Sequence, residues 1–320
     1  MNRFSKTLLA GALLTLSAVT LAQDYPNKTI RLVNPYAPGG STDLVVRTIG
    51  QKLTEAWGQP VVIENRPGAA SNIGNELVAK AAPDGYTLLN ATSSLAINVS
   101  LYTRQAYDPV KDLAPVITLT QAPNVLAVHP SLPVRSVKEL IELARAKPGQ
   151  LSYGSSGSGA TNHLAMELFK SMARVNLVHV PYKGGGPAMT DLIGGQIQVL
   201  FNPAVSLMPH HKSGRMRALA VGTSRRVPEL DLPTVAEAGL PGFESSVWFA
   251  LFVPAGTPRP IIGKLNAEVS RILKDKRVVE LFTTAGLIPI GGTPEELATL
   301  LSSEIKRWAK VVKDSGARVD

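Results

Sequence analysis

A unit of strand, small-residue loop and helix occurs twice in this chain of 320 residues, and no other feature limits its fold so tightly. The first copy has a β-like run, Thr29 to Val33, then Asn34-Pro35-Tyr36-Ala37-Pro38-Gly39-Gly40-Ser41-Thr42-Asp43. A helix over 41–57 follows, with Val46, Ile49, Leu53 and Trp57 at near-helical spacing and Gly58 to end it. Strands are predicted over 61–64 and 86–91, with a helix over 72–81 between them. After a helix carrying Val137, Leu140, Ile141 and Ala144, the same grammar returns: strand 151–154, Gly/Ser loop, helix 161–172, strand 177–181, Gly loop, helix 187–193, strand 197–201. Such alternation gives α/β lobes with mainly parallel sheets. The unit is too long, and recurs too seldom, for a solenoid.

Two long apolar runs join the copies. Residues 115–128 are marked by Pro115 and Pro123, and are too long and too interrupted for one ordinary strand. They read as a crossing between domains, and 243–254 reads as the return. Helices over 260–273 and 294–312 complete the first domain. The expected architecture is therefore α/β and bilobal, two α/β domains joined by two crossing strands. Residues 23–122 with 246–320 form domain 1 and 123–245 form domain 2. A ligand cleft is expected between the strand ends of the two lobes.

The first 22 residues are read as a secretory signal: Arg3 and Lys6 precede the apolar run from Leu8 to Leu21, with cleavage expected after Ala22. No later run reaches the ~20 apolar residues of a membrane span. The mature protein is expected to be exported and soluble. Cysteine is absent, which excludes disulfides, thiol chemistry and a lipid-modified cysteine. The formal charge of +9 falls to about +7 without Arg3 and Lys6. The basic residues are dispersed, so no nucleic-acid face is expected.

The cleft-facing loops, 36–43, 65–72, 91–94, 155–162, 182–187 and 201–203, hold Gly, Ser, Thr, Asn, Tyr and Phe and almost no charge. Several precede helices, whose first N–H groups lack intrahelical partners and sit at the positive end of the dipole. Such donors can hold a carboxylate without a formal counterion. Gly39, Gly40, Ser41, Ser156, Gly157, Thr161 and Lys183 are the leading candidates for the anionic end, with Tyr36, Pro38, Ser155, Gly159 and Gly184 in the same loops. Each has a plainer alternative: a tight turn for the glycines, helix capping for the serines, solvation for Lys183. Asp43 is a candidate too, although in a first helical turn it also suits the helix end. Tyr36, Tyr182, Phe201, Trp248 and Phe249 could set the size of the cleft, with core packing favoured for Phe249.

Catalytic patterns fail. Neither Ser155 nor Ser156 has both glycines of G-x-S-x-G, and Tyr182-Lys183-Gly184-Gly185-Gly186 has its lysine ahead of the glycines, unlike a P-loop. No histidine has metal-ligand spacing. No catalytic residue, metal or cofactor is expected. An exported serine hydrolase using Ser156 with His163 is the rival reading, although capping or packing suits His163 better.

These residues resemble a known family: the Bug-type periplasmic substrate-binding subunits of tripartite tricarboxylate transporters. The resemblance runs through Tyr25-Pro26, Pro35 to Asp43, Glu64-Asn65-Arg66-Pro67-Gly68-Ala69, Pro83-Asp84-Gly85-Tyr86-Thr87, Val180-Pro181-Tyr182-Lys183-Gly184 and Leu232-Pro233-Thr234. It implies a location in the periplasm, a type II periplasmic-binding-protein fold that delivers an organic acid to a membrane permease, and a monomer. It further implies a ligand carboxylate gripped by Pro38–Ser41 and Gly157–Thr161, partly through waters. Ser93, Ser94, Asn202 and Trp248 would meet the variable end of the ligand. The absence of acidic loop residues other than Asp43 points to a mono- or dicarboxylate without a free amino group. Ala70 stands where the family often has glycine. A ligand-loaded partner of a membrane kinase is a further use of the same fold.

Overall fold

Strand β1 (Ile30–Asn34) lies between β2 (Val61–Asn65) and β3 (Thr87–Thr92) in the computed structural model, which describes residues 25–315. The expected signal segment lies outside the described residues. The three strands are parallel, so each connection must cross over, and α1 (Ser41–Trp57) and α2 (Asn72–Ala79) do so. Gly58 closes α1 in a left-handed conformation, its N–H donating to Thr54 O at 2.9 Å. Helix α3 (Ser94–Leu101) starts directly after β3.

The run expected to be too long for one strand is one strand, β4 (Leu113–Val128), and it survives its prolines by changing partners. Up to Pro123 it pairs antiparallel with β9 (Ser246–Pro254), and from Asn124 with β7 (Val199–Pro203) and β8 (Arg217–Val221). Pro115 sits beside a register shift and Pro123 at the last pair with β9, where a missing N–H costs least. The strand order is β2–β1–β3–β9–β4–β7–β5–β6, with β5 (Ser152–Ser155) parallel to β6 (Val178–Pro181) and β7. Strand β10 (Ile288–Gly291) adds to the first half of β4.

Both halves of the sheet are covered on both faces. On one face of the first half, Leu32, Leu88, Phe249 and Leu251 pack with α1 and with α8 (Arg259–Leu273). On the other face, Leu89, Trp248, Ala250 and Phe252 pack with α3 and with the last helix, α10 (Pro294–Ser315). In the second half, Leu126, Tyr153 and Phe201 pack with α4 (Val137–Ala146) and α5 (Thr161–Ala173). Val125 and Leu200 pack with α6 (Gly185–Ile193) and α7 (Ala204–Lys212). Each such aliphatic or aromatic burial is worth about 1.5–3 kcal/mol, and it is this layering that fixes the strand ends carrying the loops.

Ahead of α2 the backbone is strained: Ala69, Ala70 and Ser71 have φ of 46°, 49° and 82°. Glycine adopts this region freely, whereas alanine pays for its Cβ. Ala70→Gly is therefore expected to stabilise the fold by up to about 1 kcal/mol, net of the extra freedom of the unfolded chain. A urea midpoint unchanged or lowered by the substitution would contradict this.

Candidate functional site

Five strand-to-helix junctions and two further strands, β4 and β9, line a cavity of about 250 Å³. The β1–α1 turn supplies Tyr36, Pro38, Gly39, Gly40, Ser41 and Thr42. Gly39 has φ of 88°, which lets the chain double back into the helix, and no side chain caps α1. The first N–H groups of α1, at Ser41 and Thr42, thus line the cavity without intrahelical partners. The starts of α5 and α6 repeat the device: Ala160 and Gly184 precede the helices, neither end has a side-chain cap, and Thr161, Gly185 and Gly186 line the same space. These helix ends carry positive partial charge toward one point.

Around this point the side chains hold one another. Tyr36 Oη lies 2.7 Å from Thr92 Oγ1 and donates to Ser94 Oγ at 3.1 Å. Ser156 N donates to Asn162 Oδ1 at 3.1 Å, and Asn162 Nδ2 donates to Ser156 Oγ at 3.0 Å and to Asn202 Oδ1 at 3.3 Å. Asn202 Nδ2 donates in turn to Ser206 Oγ at 2.9 Å. Among the described residues, Lys183 is the only charged side chain lining the cavity, and Val247 and Phe249 give it an apolar wall.

The remaining candidates lie behind this surface. Asp43 is turned away, its carboxylate accepting from Gly39 N (3.2 Å), Arg47 Nε (2.8 Å) and Asn65 Nδ2 (3.3 Å). Burial alone would raise its pKa, but Arg47 and the Gly39 N–H outweigh that and hold it below the usual range. Asp43 braces the turn from the side opposite the cavity. Ser155 is fully buried, with Oγ 2.6 Å from His179 Nε2 and accepting from Gly157 N at 3.1 Å. Gly157 and Gly159, at φ of 126° and 87°, shape this loop without lining the cavity. Tyr182 points inward to Asp191, 2.6 Å from its Oη, and burial followed by that carboxylate pushes its pKa up to about 12.

Trp248 and Ser93 do not line the cavity either. Successive side chains of a strand face opposite ways, so with Val247 and Phe249 on the cavity Trp248 falls on the α10 face, its Nε1 donating to Glu304 at 3.4 Å. Ser93 is fully buried and accepts from Trp248 N at 3.0 Å. Phe201 is stacked on Phe243 in the core, 5.5 Å between ring centres, and Phe249, for which core packing was favoured over the cleft, both packs in the core and lines the cavity. Asn124, Val247 and Ser206 were not anticipated, because they lie outside the strand-to-helix turns that announce the other positions.

The Ser156 and His163 pairing required of a hydrolase is absent. Ser156 bonds Asn162, while His163 Nδ1 accepts from Gly159 N at 3.1 Å and its ring is stacked on His179, 4.1 Å between centres. Among the described residues there is no group of acidic and histidine side chains suited to a metal, and no helix long and apolar enough to cross a membrane.

Residues 45–317 match the family model described as the tripartite tricarboxylate transporter family receptor. The chain belongs to this family. Protein BugT of Bordetella pertussis is 39% identical to it over 95% of this chain and 94% of its own. An R. palustris protein solved with adipate superposes with a TM-score of 0.89 at 40% identity, covering 92% of this chain and all of that one. MatC from Rhodopseudomonas palustris with bound malate gives 0.85 at 36% identity, over 90% of this chain and all of MatC. The Bug-type resemblance and its bilobal α/β receptor fold are thereby established, and the receptor is not an enzyme by family. The family match begins just past the Pro38–Asp43 turn, so that part of the receptor rests on the full-length relatives.

Proposed function

We propose that this receptor captures a small organic carboxylate in the cavity described above, in the periplasm, and hands it to the membrane permease of a tripartite transporter. The observation that carries the reading is the convergence of the uncapped starts of α1, α5 and α6 on a cavity lined, among the described residues, by one lysine and by no acidic side chain. Tyr36, Pro38 to Ser41, Ser94, Ser156, Thr161, Lys183, Gly184 and Asn202 serve as its contacts. Asp43, Ser155, Gly157, Gly159 and Tyr182 hold those contacts in place. That relatives have been solved with adipate and with malate, two dicarboxylates of different length, supports the class of ligand.

Two domains, residues 23–122 with 246–320 and residues 123–245, meet close to where β4 changes partners and β9 starts, which supports that division. They hinge there as a monomer. Export relies on the segment 1–22.

The reading is tested by a thermal-shift screen of mono-, di- and aromatic carboxylates. A ligand at a hundred times its Kd adds about 2.7 kcal/mol to stability, a shift that no panel measurement misses. Saturable stabilisation by none of the acids sinks the proposal. With the acid that binds, Lys183→Met is expected to weaken affinity by roughly tenfold, the loss of one charge-assisted hydrogen bond at a partly exposed site. Unchanged affinity would place Lys183 in solvent.

A further inference from the structure

Gly159 belongs to the loop between β5 and α5, in the second half of the sheet, yet it rests against the first half. A Cβ built on it would stand well inside contact distance of Leu101 Cδ2, at the end of α3, and 3.5 Å from Ala70 Cβ. Both partners are held in place. Leu101 is 3% exposed, in the apolar cluster that α3 shares with Trp248 and α10. The Ala70 carbonyl accepts from Asn98 Nδ2 at 2.9 Å, and the same nitrogen donates to Asn72 Oδ1 at 3.0 Å. Gly159 is no freer, since its N–H is held by His163 Nδ1 and its φ is 87°. Further along α5, Leu164 is fully buried in the same cluster as Leu101. The start of α5 is thus seated on α3, and at the edge of that seat only a residue without a side chain fits.

The seat stands at the rim of the ligand cavity. Ala160, the next residue, lines the cavity with Ser156 and Thr161, and Ser94, the first residue of α3, lines it from the first half. Helix α3 runs unbroken from Ser94 to Leu101, so whatever parts Gly159 from Leu101 parts these two walls. A side chain at 159 would part them by about 1 Å, the distance its Cβ needs to come out to ordinary contact. We propose that the bare Cα of Gly159, seated on Leu101, sets the width of the cavity and so the girth of the carboxylate that the receptor accepts. This rests on the carboxylate reading above and adds to it the position that fixes ligand size.

The test is calorimetric titration of the full mature chain with acids paired by charge, one slender and one broad: succinate against phthalate, and butyrate against benzoate. Gly159→Ala is expected to shift the affinity ratio within a pair by about tenfold toward the broad acid, the worth of one hydrogen bond that the slender acid no longer spans. Crystal structures of wild type and variant read the same effect without a ligand, as a separation of residues 159 and 101 that grows by about 1 Å. Adding Leu101→Ala removes the obstructing methyl but keeps the backbone cost of a Cβ at positive φ. It is expected to return ratio and separation to those of Leu101→Ala alone. Leu101→Phe presses on the loop from the other side and leaves residue 159 its glycine, and it should move the ratio the same way even if Gly159→Ala gives no cooperative melt. A ratio or a separation unchanged by these substitutions overturns the inference and leaves the carboxylate reading standing. So does a change that persists when Leu101→Ala is added, or a loss of affinity equal for both members of a pair, since the glycine would then serve only the shape of its own loop. Binding of none of the four acids by wild type counts against the carboxylate reading, and the crystal separations then decide the inference alone.

Discussion

Asn162→Ala is expected to lower stability by about 2–3 kcal/mol and carboxylate affinity at least tenfold, because one side chain ties together both loops of the second half of the site. Asn162 is 4% exposed on the first turn of α5. Its oxygen takes the Ser156 N–H and its nitrogen reaches Ser156 Oγ and Asn202 Oδ1. Ser156 is half-buried, so water can replace part of what it loses. Asn202 is 3% exposed, and its oxygen would be stranded. Without the tie, the 155–160 loop must be ordered at the moment of binding, and that ordering is subtracted from affinity. Asn162→Asp separates the two effects. It keeps an acceptor for Ser156 N, loses the donors, and puts a negative charge on the cavity wall. Its affinity is expected to fall further than that of Asn162→Ala while its urea midpoint falls less. An aspartate variant that binds carboxylates like wild type would show that the cavity is no anion site.

How much of this was legible beforehand depends on what kind of signal each position leaves. Turns that lead from strand to helix need Gly, Ser and Thr for reasons of backbone geometry, and so 36–43, 155–162 and 182–187 announce themselves whatever they bind. Helix α1 was readable to the residue because one face is apolar and Gly58 stops it. Helix α3 was not: Ser94 to Asn98 and Leu101 are all buried, so no polar face marks its period. Helix α7 was masked by Pro209 within it, and β10 by its length of 4 residues. A second helix after α8, α9 (Lys276–Thr284), opens on Asp275, whose side chain accepts from Arg277 N and Val278 N, a cap lost among the surrounding charges.

The choice between Trp248 and Phe249 shows the limit most clearly. Strand β9 is buried on both faces from Val247 to Pro254, so its sequence alternates nothing that could assign a side. Only the register with β4, Val247 opposite Ala122 and Phe249 opposite Thr120, places Trp248 away from the cavity. Asn124 was invisible for a related reason. A polar residue inside a long apolar run says that something must satisfy it, but not whether that partner is the protein or a ligand.

The stability of the receptor is expected to drop between pH 6.5 and pH 5, above the ordinary carboxylate range, because two stacked histidines stand behind the Ser155–Gly159 loop. His163 Nδ1 accepts from Gly159 N, which leaves its proton on Nε2, 4.0 Å from Glu167 Oε1. His179 Nε2 meets Ser155 Oγ at 2.6 Å, and the Tyr153 ring stacks beside it, 4.9 Å between centres. Lys170 lies close by, its Nζ 2.7 Å from Glu167, and adds positive charge to the cluster. Burial first, then His179 and Lys170, depress the pKa of His163 from 6.5 to about 3. Burial also leads for His179, opposed by Glu167 and aided by Lys170, and takes it to about 4. Unfolded, both rings take up a proton near pH 6.5; folded, they refuse it until about 4 and about 3. Across that interval the unfolded chain holds more protons, so stability is complete above 6.5 and is lost as pH falls through the folded values. The total is on the order of 5 kcal/mol, nearly all of it from His163 once His179 is discounted for its partial exposure. Glu55, Glu64 and Glu237, depressed from 4.5, and Asp43, Asp108 and Asp275, depressed from 3.8, add their own loss only as pH falls below those ordinary values. Urea midpoints at pH 7, 6 and 5 therefore isolate the imidazoles, and replacing both with glutamine should flatten that segment of the curve. Ligand affinity should fall over the same interval, since a proton on His163 Nδ1 removes the acceptor that holds Gly159 N and with it the shape of the loop beneath Ser156. A wild-type midpoint that stays level from pH 7 to pH 5 would mean that the two rings are not held neutral by their burial, and that the loop draws its shape from Asn162 alone.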